Sequence, residues 1–204
     1  MNIETLKNNE SETVSFLNNL RSKTSESHKN LEQLTISKSI VNPEITVKEY
    51  ALYLSLMHDI VQNLETDIYP ILSKAISDLS ERKKAQHIIN DLQVTGIEKK
   101  QFISPFKNTS EMSVPFAIGI MYVVEGSTLG GRFILKNIQD ALGYDETNGA
   151  SYFAGYGNKT GSHWKKFLKE LTDFEKQTNL ENEIINGADY GFRIIYEHLS
   201  VNSL

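Results

Sequence analysis

Residues 115–138 read PFAIGIMYVVEGSTLGGRFILKNI, and this stretch decides the fold. It opens as an apolar run over residues 116–124 and continues at helical spacing through Phe133, Ile134, Leu135 and Ile138. Gly126, Gly130 and Gly131 interrupt it. A glycine inside a helix costs about 1 kcal/mol relative to alanine, so three so close together need a compensating reason. Glycine suits a backbone that must bend, or one that another body approaches closely. Gly126 and Gly130 lie four apart and share one face. The pattern predicts a long helix, kinked at its glycines, with a flat ligand or a neighbouring helix against that face. Ser113 and Pro115 are its start signals, and Gly143 follows its end.

The rest of the chain carries the same helical period. It has four prolines in 204 residues, and apolar residues recur mostly three and four apart. A first helix is predicted over residues 11–35, after a flexible tail at 1–10. Its stripe runs through Val14, Leu17, Leu20, Thr24, His28, Leu31 and Leu34. Thr46 and Glu49 form a capping box that opens a long helix, which Pro70 kinks and which resumes through Ile71, Leu72, Ile76 and Leu79. Ser80 is read as the cap of a helix carrying Ala85, Ile88 and Leu92. Residues 97–110 are a loop with one helical turn, and residues 144–161, with four glycines, a second loop. Two helices follow, near 162–177 and 181–200. The expected architecture is all-α, with a single domain over residues 11–204.

Composition narrows the function. A net charge of −5 argues against a protein that grips a phosphate backbone. The absence of cysteine excludes disulfides and thiolate metal sites, and it fits a reducing compartment. The first residues carry no signal-peptide core, and the longest apolar run is shorter than the ~20 residues that span a bilayer. A cytoplasmic protein with no membrane and no nucleic-acid partner is expected.

His28 is the sharpest candidate for chemistry. It occupies the apolar stripe of the first helix, where a histidine is commonly a core residue with its hydrogen bonds satisfied. Glu32, one turn on, offers another use: a carboxylate on Nδ1 leaves Nε2 free for a metal. His58, His87, His163 and His198 form no metal-binding spacing with one another. Arg21 precedes His28 by two turns, on the same face, and suits an anionic ligand edge. Lys165, Lys166 and Lys169 form a cationic patch that serves a ligand or a docking partner, or is simply solvated. No nucleophile elbow, phosphate-binding loop or catalytic triad pattern is present.

Taken together, these residues resemble the haem oxygenases of the bacterial, biliverdin-producing kind. Residues 20–28, LRSKTSESH, followed by Leu31 and Glu32, are similar to the family's proximal helix, with its Leu-Lys/Arg-x-x-Thr lead-in to the iron-binding histidine. Residues 122–131, YVVEGSTLGG, are similar to its distal helix, and residues 156–167 to the loop and helix after it. The resemblance implies haem b as both cofactor and substrate, with His28 as axial metal ligand and Glu32 its partner. It implies Arg21, Thr24, Gly131, Lys165 and Lys166 as further haem contacts. Gly126, Ser127 and Gly130 become the catalytic wall over the iron, and Gly131 permits the kink. One departure stands out. Ser127 occupies the place where many relatives carry an aspartate that orders water for proton delivery. The reaction implied is cleavage of haem to biliverdin, carbon monoxide and iron by oxygen. Its electrons would come from a ferredoxin or an NADPH-dependent reductase, and a bacteriophytochrome is a possible acceptor of biliverdin. Two other readings fit the same residues: a haem carrier on this fold, and a helical interaction protein without haem.

Overall fold

The computed structural model describes the backbone of residues 3–99 and 101–202. Ten α-helices make up these residues, and they contain no strand: α1 (Ile3–Gln33), α2 (Thr35–Ser39), α3 (Val47–Asn63), α4 (Tyr69–Leu72), α5 (Ala85–Thr95), α6 (Val114–Ser127), α7 (Gly131–Leu142), α8 (Ser151–Ala154), α9 (Thr160–Thr178) and α10 (Glu181–Asn202). The all-α expectation holds. α6 lies at the centre, packed on α10, and α10 in turn packs on α1. α3 packs on α5, and α8 joins α5 to α7.

Several boundaries follow from the local chemistry already noted. Thr46 accepts the Glu49 N–H while Glu49 accepts the Thr46 N–H at 2.8 Å, the predicted capping box. Ser113 caps α6 through the Phe116 N–H, with Pro115 in the first turn. Gly96 and Gly143, at φ 71° and 74°, close α5 and α7 in the left-handed conformation that glycine adopts without strain.

Other boundaries differ. α1 begins at Ile3, so the expected tail is helix from that residue on. No glycine or proline precedes Pro43, and nothing local stops the helix earlier. Residues 1–2 and the side chain of Val14 lie outside the described residues. Pro70 does bend its helix, through a π-helical segment (Leu64–Ile68) in which the Tyr69 N–H reaches back to the Leu64 carbonyl. The wider turn makes room for a residue that lacks a donor. The helix then stops at Leu72 instead of running on to Leu79, because Ser77 and Asp78 are held from α9 by Glu170 and Lys166. Ser80 caps nothing. The first amides of α5 are taken by Glu65, which accepts from Lys84 and Ala85 at 2.5 and 2.8 Å. Within the expected loop at 144–161, Asp91 caps α8 by accepting from the Ser151 and Tyr152 amides. These are tertiary contacts, and they override local propensity.

The tightest packing lies where α6 crosses α10. A Cβ on Gly119 would stand 2.1 Å from the Ile184 carbonyl oxygen, and one on Gly187 would stand 2.0 Å from that of Phe116. Backbone meets backbone there. Gly187→Ala is expected to destabilise the fold by about 3 kcal/mol, at the upper end of overpacking costs, and to lower the thermal midpoint clearly. Gly161→Ala, in α9 with nothing within 4 Å, should do no harm. Residues 114–142 are long and apolar enough to cross a bilayer by length and composition, yet over half of their most apolar window is buried in the bundle.

Candidate active site

A cleft separates α1 from the glycine-bearing end of α6. It has two lobes, about 530 and 740 Å³, which share His28, Glu32, Tyr53, Met57, Gly126 and Ser127 on their walls. The first lobe extends to Arg21, Thr24, Trp164 and Phe192. The second extends over Gly130 and Gly131 to Tyr152 and Lys84.

His28 stands on the proximal wall. Leu20 and Thr24 of its stripe are buried, but the His28 side chain is 57% exposed to the cleft. It is therefore not a core histidine. Nδ1 faces Glu32 at 3.6 Å, and the ring meets the edge of Phe192. Nε2 has no partner among the described residues. Thr24 donates its hydroxyl proton to the Leu20 carbonyl at 2.8 Å, so it lines the cleft as a methyl-bearing surface. Arg21 and Tyr122 share the wall of the first lobe; burial pushes the Tyr122 phenol up, against the pull of the Arg21 cation.

The opposite wall is built from helix α6, a 3₁₀ turn (Thr128–Gly130) and helix α7, which together make the predicted kink. Its three glycines serve different ends. A Cβ on Gly130 would meet nothing within 4 Å, and one on Gly126 would meet only Trp164, at 3.6 Å. No protein group presses on Gly130, and the space beside it belongs to the cleft. Gly131 is required by packing, since a Cβ there would lie 2.6 Å from the Phe153 carbonyl oxygen. Ser127 donates to the Val124 carbonyl at 2.7 Å. Its hydroxyl proton is used within the helix.

The lysines expected beside the ligand lie elsewhere. Lys166 reaches Asp78 at 2.9 Å, Lys169 pairs with Asp173, and neither Lys165 nor Lys166 is on the cleft wall. Trp164, next to them, is on it. Tyr53, Tyr122, Tyr152 and the α10 residue Phe192 also line the cleft, and sequence spacing marks none of them.

Behind the kink lies a buried ionic cluster. Arg82, fully buried, binds both oxygens of Asp78 at 2.6 and 3.0 Å and donates to Glu125 at 2.8 Å. Lys84 donates to Glu125, to the Arg82 carbonyl and to Tyr156, and Tyr156 donates to Glu125. Burial would raise Asp78, but hydrogen bonds from Arg82 and Lys166 outweigh it and hold the carboxyl below its usual range. Burial depresses Lys84 against the pull of Glu125. Glu125 is the residue before Gly126, so the cluster ties the end of α6 to the chain on either side of it. Among the described residues, one carboxylate–histidine group has metal-binding proximity: Asp78, Glu81 and His163. Asp78 there is already neutralised by Arg82 and Lys166.

A histidine thus stands across a cleft from the glycines at the bend of the opposite wall, and the sequence pattern of one known family, described as "Heme oxygenase", covers residues 14–200. The chain belongs to the haem oxygenase family. It is 28% identical to Heme oxygenase PigA of Pseudomonas aeruginosa over 181 residues, 85% of this chain and 88% of the relative. Its structure is similar to that of the Neisseria meningitidis haem oxygenase, solved with NO and CO bound (26% identity, TM-score 0.75, 92% and 91% of the two chains). The Leptospira interrogans haem oxygenase (19%, TM-score 0.77, 91% and 98%) and the Synechocystis enzyme in complex with haem (14%, TM-score 0.72, 90% of each) share the fold.

Proposed function

We propose that this member of the haem oxygenase family degrades haem to biliverdin, carbon monoxide and iron, with His28 as the axial ligand. The observation that carries this reading is the pairing of His28, exposed and unpartnered at Nε2, with the bare backbone at Gly126 and Gly130 across one cleft. The donor set suits a haem: an imidazole nitrogen toward one face, and no side chain from Gly126 or Gly130 toward the other. When bound, the haem itself supplies the oxygen-activating iron and the carbon that is attacked.

The chain's own residues then have simple tasks. His28 would hold the iron, and Glu32, whose carboxylate lies 3.6 Å from Nδ1, would orient the imidazole. Arg21, with Tyr122 beside it, is placed to meet a propionate at the outer end of the first lobe. Gly126 and Gly130 would present no side chain to the distal face, and Ser127 between them spends its proton on the Val124 carbonyl. Trp164 and Phe192 exclude water from the apolar part of the ring. Electrons come from outside, from a ferredoxin or an NADPH-dependent reductase, which suits a cytoplasmic setting.

The test is a haemin titration followed by absorbance, then addition of reductant in air. A saturable one-to-one Soret complex that bleaches to a biliverdin spectrum is expected. A complex that survives reductant would identify a haem carrier instead. No specific complex would remove both readings.

A further inference from the structure

One group of ligand-type side chains lies outside the cleft and takes no part in the proposed reaction. Asp78, Glu81 and His163 each have a ligand atom within 4.8 Å of those of the other two. Asp78 precedes the 3₁₀ turn (Leu79–Arg82) before α5, Glu81 lies within it, and His163 comes from the first turn of α9. None of the three lines either lobe of the cleft. The histidine is fixed in direction, because its ring is stacked on Tyr156 with the centroids 4.2 Å apart. Its side chain is only 16% exposed, and Nδ1 is sealed from solvent without a hydrogen-bond partner among the described residues. Asp78 Oδ2 stands 3.9 Å from that nitrogen, too far for a hydrogen bond. A sealed polar atom with no partner is rare, and a metal ion would satisfy it. A tetrahedral zinc ion with bonds of about 2.0–2.2 Å holds its ligand atoms about 3.4 Å apart. His163 and Asp78 are already near that spacing, and Glu81, exposed on its turn, is free to close on them.

The cation now at this place is a lysine, and it is able to leave. Of the two cations on Asp78, Arg82 is fully buried, whereas Lys166, 2.9 Å from Oδ2, has a side chain 46% exposed. Glu170, one turn further along α9, accepts from Ser77 through Oε1 and keeps Oε2 sealed without a partner. The charges of Glu81 and Glu170 already bear on the Lys166 ammonium. Lys166 thus sits among three carboxylates. A swing toward Glu170, its neighbour at four residues' spacing, opens Asp78 Oδ2 to another cation.

We propose that Asp78, Glu81 and His163 bind a divalent transition-metal ion of the zinc kind, in exchange for Lys166. One imidazole with two carboxylates suits zinc, whereas magnesium and calcium prefer oxygen alone. Water completes the coordination on the open side. The ion clips α9 to the segment before α5, a junction that Lys166 now bridges. It is separate from the haem iron, and the site does not depend on what the cleft holds.

The experiment is a calorimetric titration of the full, haem-free chain with zinc chloride, after treatment with a chelator. One saturable event per chain is expected, together with a melting temperature that climbs with zinc concentration. Glu81→Gln and His163→Ala should each weaken binding at least about tenfold. Glu81 is the cleaner of the two, since its side chain is exposed and makes no hydrogen bond or ion pair among the described residues. Lys166→Met should act in the opposite direction and tighten binding about fivefold, the worth of a half-exposed ion pair. His28→Ala removes the exposed histidine–carboxylate pair of the cleft and should leave zinc binding unchanged. Absence of a saturable event overturns the proposal, as does an event that survives Glu81→Gln or that Lys166→Met weakens. Loss of zinc in His28→Ala would place the ion in the cleft and overturn it too. The haemin titration is unaffected by any of these results, so the two readings fail separately.

Discussion

Glu125→Ala is expected to lower the unfolding free energy by about 3–5 kcal/mol, the cost of leaving a buried cation, Lys84, without its counter-charge. Glu125 accepts from Arg82, Lys84 and Tyr156 at once and is 1% exposed. Removing it leaves the buried Lys84 ammonium without its carboxylate partner, while Arg82 keeps Asp78 alone. Glu125→Gln keeps one acceptor oxygen and should lose less. Glu197→Ala supplies the contrast. Its partner is Arg193 on the same helix face, both side chains are 54% exposed, and such a pair contributes about 0–1 kcal/mol. Denaturant unfolding of the three variants checks the order. If Glu125→Ala costs no more than Glu197→Ala, the cluster is not what holds the end of α6.

His28→Ala is expected to weaken haemin binding by at least about 100-fold and to abolish bleaching by reductant. Loss of a group that merely orients a metal ligand costs on the order of 10–100-fold, and the ligand itself should cost no less than the upper end of that range. Glu32→Ala should cost at most about tenfold, since the carboxylate only orients Nδ1 and is itself exposed. Neither change should harm the haem-free fold, because the His28 ring lies in the cleft rather than the core. Titration with imidazole present adds a check: a free ligand filling the place of the lost ring should restore part of the Soret complex. Undiminished affinity in His28→Ala would move the axial ligand elsewhere and take the site assignment with it.

What the sequence reveals here depends on distance along the chain. His28 with Glu32, Gly126 with Gly130, and Thr46 with Glu49 are pairs within one or two turns, so helix geometry alone relates them. The kink was equally local. The direction of Lys166 was not legible, because a lysine's direction depends on what faces it, and here Asp78, from the segment before α5, claims it. The cleft walls from α3, α8 and α10 could not be read, since Tyr53, Tyr152 and Phe192 become neighbours only after folding. The ionic cluster was hidden for the same reason, drawing on positions 78, 82, 84, 125 and 156. One of its members did leave a trace. Glu125 ends the apolar run 116–124 inside a helix that had to be buried, and a carboxylate there requires a cation from elsewhere in the chain.

The crossing of α6 and α10 through Gly119 and Gly187 bears on how this protein can change over time. Because each glycine faces the other helix's main chain, no side chain there can shrink to make room for a new methyl group. The two positions are therefore closed to compensated exchange. In return, the placement of the distal wall does not depend on which side chains fill the surrounding core. Substitutions can accumulate around that crossing, one neutral step after another, while the wall over the cleft stays where the two backbones hold it.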